Sequence, residues 1–249
     1  MNSPSSVVAA DVARFAAVAD EWWDPNGKFA PLHRLNPARL AFIREAGLTH
    51  FQIDGRRRAP FAGLRLIDVG CGGGLICEPM RRLGFEVVGV DAAGESLAVA
   101  GAHAEGLGLS IDYRAAAIED LVAANEPSFD VVLALEVIEH VANPGAFLAN
   151  CARLMTPGGI MILGTLNRTL RSLALAKLAA EYVLRWVPAG AHDWRKFLTP
   201  EEVSRHLESA GLTASAPSGL VLDPWSGQWR RSGDTAINYM ITAAGQAGS

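Results

Sequence analysis

Glu136, Glu139 and His140 bring two carboxylates and an imidazole within five residues, at spacings i, i+3 and i+4. On a helix those spacings share one face. So placed, the trio has two uses: holding a divalent ion, or moving a proton with His140 as general base and Glu136 beside it. Magnesium prefers oxygen, which makes His140 an awkward ligand and leaves it open as the base. The plainer alternative is that both acids favour a helix N-terminus and His140 sits at the surface.

A second chemical signal lies upstream, in Asp68-Val69-Gly70-Cys71-Gly72-Gly73-Gly74. Glycines permit a sharp turn and remove the Cβ atoms that would keep a ligand from the backbone. Asp91 follows at about the spacing at which a carboxylate accepts hydrogen bonds from the ribose hydroxyls of a bound nucleoside. The dinucleotide pattern G-x-G-x-x-G needs glycine where this chain has Leu75, which argues against a dehydrogenase.

These residues need a frame, and the pattern of the chain supplies one. Leu66–Val69, Val87–Asp91, Ile111–Arg114, Asp130–Leu135 and Ile160–Leu163 are short apolar runs separated by helical stretches. Such alternation predicts a mostly parallel sheet covered by helices on both faces. Further strands are expected around Thr213–Leu222 and Ala236–Thr242. Ahead of the sheet, residues 9–23 read as an amphipathic helix. Asn36-Pro37 reads as the start of a second helix that ends near Gly47. The organisation expected is one domain over 1–249: an N-terminal helical cap (9–48), a core (64–166), a helical insert (167–196) and a C-terminal helix with strands (197–242).

Bulk properties exclude several classes. Half of the 249 residues are hydrophobic, enough for a sizeable core, and the formal charge is −4. A mildly acidic chain is a poor binder of phosphate backbones, so no nucleic-acid partner is expected. Cys71, Cys77 and Cys151 form no metal-binding spacing. No basic leader followed by an apolar run opens the chain, and no apolar stretch is long enough to span a bilayer. The expected location is cytoplasmic.

Asp68, Gly70, Gly72 and Gly74 occupy every fixed position of D-x-G-x-G-x-G, which resembles the first motif of Rossmann-like class I methyltransferases. Phe129-Asp130-Val131-Val132 and Pro157-Gly158-Gly159 resemble that superfamily in the same order. Three more segments narrow the likeness: Trp22-Trp23-Asp24-Pro25 through Pro31-Leu32-His33-Arg34-Leu35-Asn36-Pro37-Ala38-Arg39, then Glu136–Val141, then Gly164–Arg168 with His192–Phe197. Together they are similar to the ubiquinone-biosynthesis O-methyltransferase family, from about Phe15 to Met240. The resemblance implies a seven-stranded sheet, S-adenosylmethionine as cofactor and two O-methylation steps on polyprenyl phenol or quinol substrates. It implies that Asp68, Gly70, Gly72 and Asp91 bind the cofactor, with Arg39 reaching it and Leu135 over the adenosine. It also implies a magnesium site at Glu136, Glu139 and His140. Val137-Ile138 depart from the Met and Leu often found there, a volume-tolerant change. Other readings are a methyltransferase for another phenol or lipid, and a non-catalytic subunit of a quinone-synthesis complex.

Two segments have open roles. Trp22, Trp23, Phe29 and His33 either close a lid over an apolar substrate or pack the N-terminal helices. The 167–196 insert carries six basic and two acidic residues, a local charge of +4. From Ser172 to Val187, Lys177, Glu181 and Arg185 recur every four residues among leucines, valine, tyrosine and tryptophan. Such a helix suits an anionic membrane surface, giving peripheral contact with the inner face of the membrane, or it caps the active site.

Overall fold

The computed structural model describes residues 6–174 and 194–245. A seven-stranded sheet runs in the order β3-β2-β1-β4-β5-β9-β6. Its strands are β1 (Arg65–Val69), β2 (Glu86–Asp91), β3 (Asp112–Ala115), β4 (Phe129–Leu135), β5 (Met155–Leu166), β6 (Leu212–Ala214) and β9 (Asn238–Gly245). The first five pair in parallel. Strand β9 runs antiparallel to β5 and to β6. From β1 the chain builds outward to β2 and β3, then returns to add β4 on the other side. That reversal leaves a crevice at the carboxyl ends of β1, β2 and β4, where open α/β sheets place ligands.

The near-continuous apolar strands are explained by burial on both faces. Ile67, Val69, Val88, Val90, Val132 and Ala134 pack on one face, with Phe147 and Leu148. Leu66, Val87, Val131, Leu133 and Ile162 pack on the other, with Phe42, Phe61 and Met80. The helices are α1 (Ala9–Ala16), α2 (Ala30–His50), α3 (Cys77–Arg82), α4 (Gly94–Gly106), α5 (Ile118–Ala123), α6 (Pro144–Arg153) and α7 (Pro200–Ser209). Asn143 caps α6 through a 3.0 Å bond from the Ala146 N–H, with Pro144 in the first turn. Thr199 and Glu202 form a reciprocal capping box on α7.

The N-terminal elements differ from the pattern reading. Helix α1 stops at Ala16, and a separate short 3-10 turn covers Ala19–Glu21. Helix α2 begins at Ala30, with Pro31 in its first turn, so Pro37 lies inside it and Asn36 is not its cap. The helix extends to His50, three residues past Gly47. Asn36 is buried instead, because its helix face turns inward with Arg39, Phe42 and Ile43. The late strand also splits. Pro217 has no N–H to donate to a ladder, and β6 ends before it. Beyond it, β7 (Gly219–Leu222) pairs with β8 (Trp229–Ser232) in a separate two-stranded sheet that the pattern did not reveal. The Pro157-Gly158-Gly159 turn sits within the long β5, where the β4–β5 register shifts.

Within 167–196, residues 170–174 are helical and Trp194–Lys196 form a 3-10 turn. The rest of that segment, including most of the amphipathic stretch, lies outside the described residues. No helix among the described residues is long and apolar enough to cross a membrane.

Candidate active site

The glycine turn leaves β1 and is tied back to β2. The Val90 carbonyl accepts from the N–H groups of Gly70 (2.7 Å) and Cys71 (3.0 Å). Asp91 then bridges the turn and the next helix. One carboxylate oxygen accepts from the Gly72 N–H at 2.9 Å and the other from the Ala93 N–H at 2.8 Å. Burial raises the Asp91 pKa while these N–H bonds oppose the rise. Asp68, buried beneath the turn, is pushed up to about 7, chiefly by burial. The Cys77 thiol donates to its Oδ2 at 3.4 Å and works against that shift.

Gly70, Gly72 and Gly74 all have positive φ, where a side chain is strained. They also admit close neighbours. A Cβ on Gly70 would lie 2.2 Å from the Val137 side chain, and one on Gly72 2.4 Å from the Trp22 ring. The helix after the turn, α3, starts at Cys77 and has six residues. The surface that faces the cavity here is therefore the turn itself with Asp91, rather than a long helix N-terminus.

The tryptophan pair packs on this turn. Trp22 stacks on Phe29 at 3.7 Å between ring centroids and donates its indole N–H to Ser96 Oγ at 3.0 Å. Trp23 donates to the Gly73 carbonyl at 3.0 Å and stacks on His103 at 3.6 Å. His103 contacts the buried Glu78 at 2.6 Å. His33 reaches the Trp22 carbonyl at 2.8 Å. The N-terminal segment is thus fastened to the glycine turn by both indoles.

A cavity of about 310 Å³ opens above the carboxyl ends of β1, β2 and β4. Asp68, Gly70, Gly72, Asp91 and Leu135 line it from the sheet side, and Arg39 from α2. Glu136 and His140 line the same space, as do apolar side chains of the N-terminal elements. Arg39 is 4% exposed, and its guanidinium meets Glu136 Oε1 at 2.6 Å. Glu136 adopts φ +55, a costly conformation for a non-glycine residue. Its N–H still bonds to the Gly164 carbonyl at 2.8 Å, so the strand ladder fixes the backbone while the side chain turns to Arg39.

The sequence spacing gathers Glu136, Glu139 and His140 only if the segment is α-helical, and it is not. A 3-10 turn covers Ile138–His140 alone, and Glu136 stands before it in the left-handed region. Glu139 therefore points into the interior: it is 2% exposed, and its Oε2 accepts from Thr165 Oγ1 at 2.9 Å. Burial first, and the charge of Glu136 second, raise its pKa well above the usual carboxylate range. Among the described residues, no group of three or more His, Cys, Asp or Glu side chains is arranged to hold a metal ion. The expected magnesium trio is not assembled here, because one carboxylate is engaged by Arg39 and another is buried against Thr165.

His140 is half of a different arrangement. Its Nδ1 lies 3.4 Å from Oδ2 of Asp11, on α1. Phe15, one turn along the same helix, meets the imidazole edge to face at 5.5 Å. Burial lowers the His140 pKa, and Asp11 opposes that shift. Asp11 and Asn36 are cavity-lining polar residues that the sequence reading missed. No local motif marks Asp11, which enters the site through its approach to His140, far away in the chain, whereas Asn36 lies in the segment that carries the family resemblance and reads from the sequence only as a helix cap.

A family model of a methyltransferase domain matches residues 67–163. The ubiquinone biosynthesis O-methyltransferase of Caulobacter vibrioides is 58% identical over 237 residues, covering 95% of this chain and 94% of that protein. The protein of the same name from Caulobacter sp. strain K31 is 57% identical, covering 97% and 96%. Among solved structures, the magnesium protoporphyrin IX methyltransferase of Synechocystis PCC 6803 with bound SAH aligns at a TM-score of 0.64 and 16% identity, over 96% of this chain and 95% of that one. At that identity the likeness concerns the fold, which is the Rossmann-like class I methyltransferase fold.

Proposed function

The chain belongs to the ubiquinone biosynthesis O-methyltransferase family, and from that premise we propose that it methylates phenolic oxygens of polyprenylated ubiquinone precursors, at both O-methylation steps, using S-adenosylmethionine. The observation that carries this reading is the shared cavity. One wall has the residues suited to a nucleoside, and the other has Arg39, suited to a carboxylate, beside Glu136, His140 and apolar side chains suited to a phenol.

The donor set fits the cofactor. Asp91 at the tip of β2 would accept from the ribose hydroxyls, and Leu135 would cover the adenosine. Arg39 would pair with the amino-acid carboxylate, exchanging Glu136 for it in a charge-assisted bond. When bound, the cofactor supplies an electrophilic methyl on a positively charged sulfur. The chain's own task is to align the attacking oxygen and take its proton. Alignment alone supplies much of the rate gain. A phenol has a pKa of about 10, so a base is needed at neutral pH. His140 suits that role, because its lowered pKa keeps the ring neutral. Glu136, freed from Arg39, would face the substrate hydroxyl.

No step is assigned to magnesium, since Glu136, Glu139 and His140 do not converge. The test is a methyl-transfer assay on a catechol-type quinone analogue, run with and without Mg²⁺ and after chelation. Transfer from S-adenosylmethionine to a ring oxygen is the expected result, and no transfer to any such phenol would overturn the reading.

A lipid-borne substrate must be met at a surface, and the 167–196 sequence supports a peripheral membrane role. Its local charge of +4 contrasts with −4 for the whole chain. Basic residues interleaved with leucine and tryptophan favour anionic interfaces. The expected outcome is co-flotation with anionic vesicles that weakens with salt; no flotation at low salt would count against it.

A further inference from the structure

We propose that Asp11 is the positioning residue for His140, so that the catalytic base is a carboxylate–imidazole pair completed by the N-terminal helix. The proposal rests on the reading of His140 as the base.

Three observations meet at this point. Asp11 is 7% exposed, and its Oδ2 has no closed hydrogen bond, yet it lies 3.4 Å from His140 Nδ1. An unsatisfied buried carboxylate oxygen is costly unless something completes it. Phe15 holds the same imidazole from one turn further along α1, so the i, i+4 pair Asp11 and Phe15 grips the ring from one helix face. Asp11 and His140 both line the cavity beside Glu136, so the pair stands where a substrate hydroxyl would be received.

Two cations flank Asp11. Arg14 bonds its Oδ1 at 3.0 Å, and Lys196 Nζ lies 3.6 Å from Oδ2. Among the described residues, the charged groups acting on His140 include Asp11 from α1, Lys196 from the 3-10 turn before α7, and Glu136 from its own segment. A carboxylate at Nδ1 keeps the proton on that nitrogen and leaves the lone pair on Nε2. The chemistry then balances. Nε2 takes the phenol proton as the oxygen–methyl bond forms and the electrons of the methyl–sulfur bond return to sulfur. Asp11 offsets the imidazolium charge until the proton leaves to water. Apo contacts of this type are commonly long and tighten when substrate binds.

The consequence is that α1 is a part of the active site rather than a cover. The test uses the full chain with nitrogen-15-labelled histidine, assigned against His140→Gln, together with kinetics of Asp11→Asn. The expected spectrum has His140 protonated at Nδ1, and Asp11→Asn erodes that preference. Asp11→Asn should lower kcat by roughly a hundredfold, while KM for S-adenosylmethionine stays within about threefold, a split that general destabilisation would not give. The imidazole of the unaltered protein carrying its proton on Nε2 overturns the proposal whether or not the variant folds. Wild-type kcat in Asp11→Asn with His140→Gln inactive overturns the pair but leaves His140 as base. Full activity in His140→Gln removes the base reading and the pair together.

Discussion

The two walls of the cavity are built in opposite ways. On one side, Asp68, Gly70, Gly72 and Asp91 come from two adjacent strands and the turn between β1 and α3, and the N–H groups of Gly70, Cys71 and Gly72 all find acceptors at 2.7 to 3.0 Å. Val90 and Asp91 accept these three and the Ala93 N–H. On the other wall, Asp11, Arg39, Glu136 and His140 come from three distant segments, with Glu136 strained and Asp11 Oδ2 unsatisfied. The glycine turn is held ready before any ligand arrives. The other wall keeps its groups on looser partners, Arg39 on Glu136 and Asp11 at long range from His140. A fixed wall gives affinity; a wall with exchangeable contacts lets substrate and cofactor complete it.

The largest effect should come from breaking the fixed wall. Gly70→Ala places a Cβ 2.2 Å from Val137 at a φ of +74. Strain and overpacking together should cost roughly 2–4 kcal/mol, and calorimetry should show S-adenosylhomocysteine binding lost. Adding Val137→Ala removes the methyl groups nearest that atom, so the double variant should recover the overpacking share and keep the backbone share. Additive losses in denaturant titrations would mean that the turn is not set by this contact.

Arg39→Ala tests the exchangeable side. If Arg39 pairs with the cofactor carboxylate as proposed, the variant loses a charge-assisted bond, for which about 2 kcal/mol, or roughly thirtyfold in affinity for S-adenosylhomocysteine, is expected. Unchanged affinity would show that Arg39 serves Glu136 alone. A smaller effect concerns pH. The lowered pKa of His140, the proposed base, keeps its ring neutral to lower pH than an ordinary histidine. Activity should then fall only as pH drops through a value below about 6.5. An acid limb above that value would point to a different base.

The same contrast explains what could be read from the sequence. The strands and the glycine turn were legible because their signals are local: apolar runs, punctuation by glycine, and an acidic residue one strand later. The apolar run puts Asp91 at a strand tip, and its spacing from the glycine turn points to the ribose role. The other wall was misread at each point where a local rule was overridden. Asn36-Pro37 looks like a helix start, but burial of the Arg39 face carries α2 through it. The i, i+3, i+4 spacing of Glu136, Glu139 and His140 assumes a helix, and one left-handed residue scatters them. Asp11 had no signal, because its role exists only where α1 meets residues 136–140.

Asp68 offers the finest comparison, since it belongs to the fixed wall yet titrates near neutrality. Its folded pKa of about 7 lies above the ordinary 3.8. Between those values the folded state binds more protons than the unfolded state, so stability contributed here falls as pH rises. The contribution is fully present below about 4 and gone above about 7. Asp68→Asn keeps the shape and removes the titration. Its amide oxygen can still accept from Cys77, while the amide nitrogen faces the cavity that Asp68 lines. Without cofactor, the melting temperature of the variant relative to the unaltered chain should therefore climb from pH 4 to pH 8. In a chain of this size the climb corresponds to roughly 2–4 °C for each kcal/mol. A constant offset across that range would place the proton elsewhere, and Asp68 would then be charged in the fold at neutral pH, held by Arg39 despite its burial.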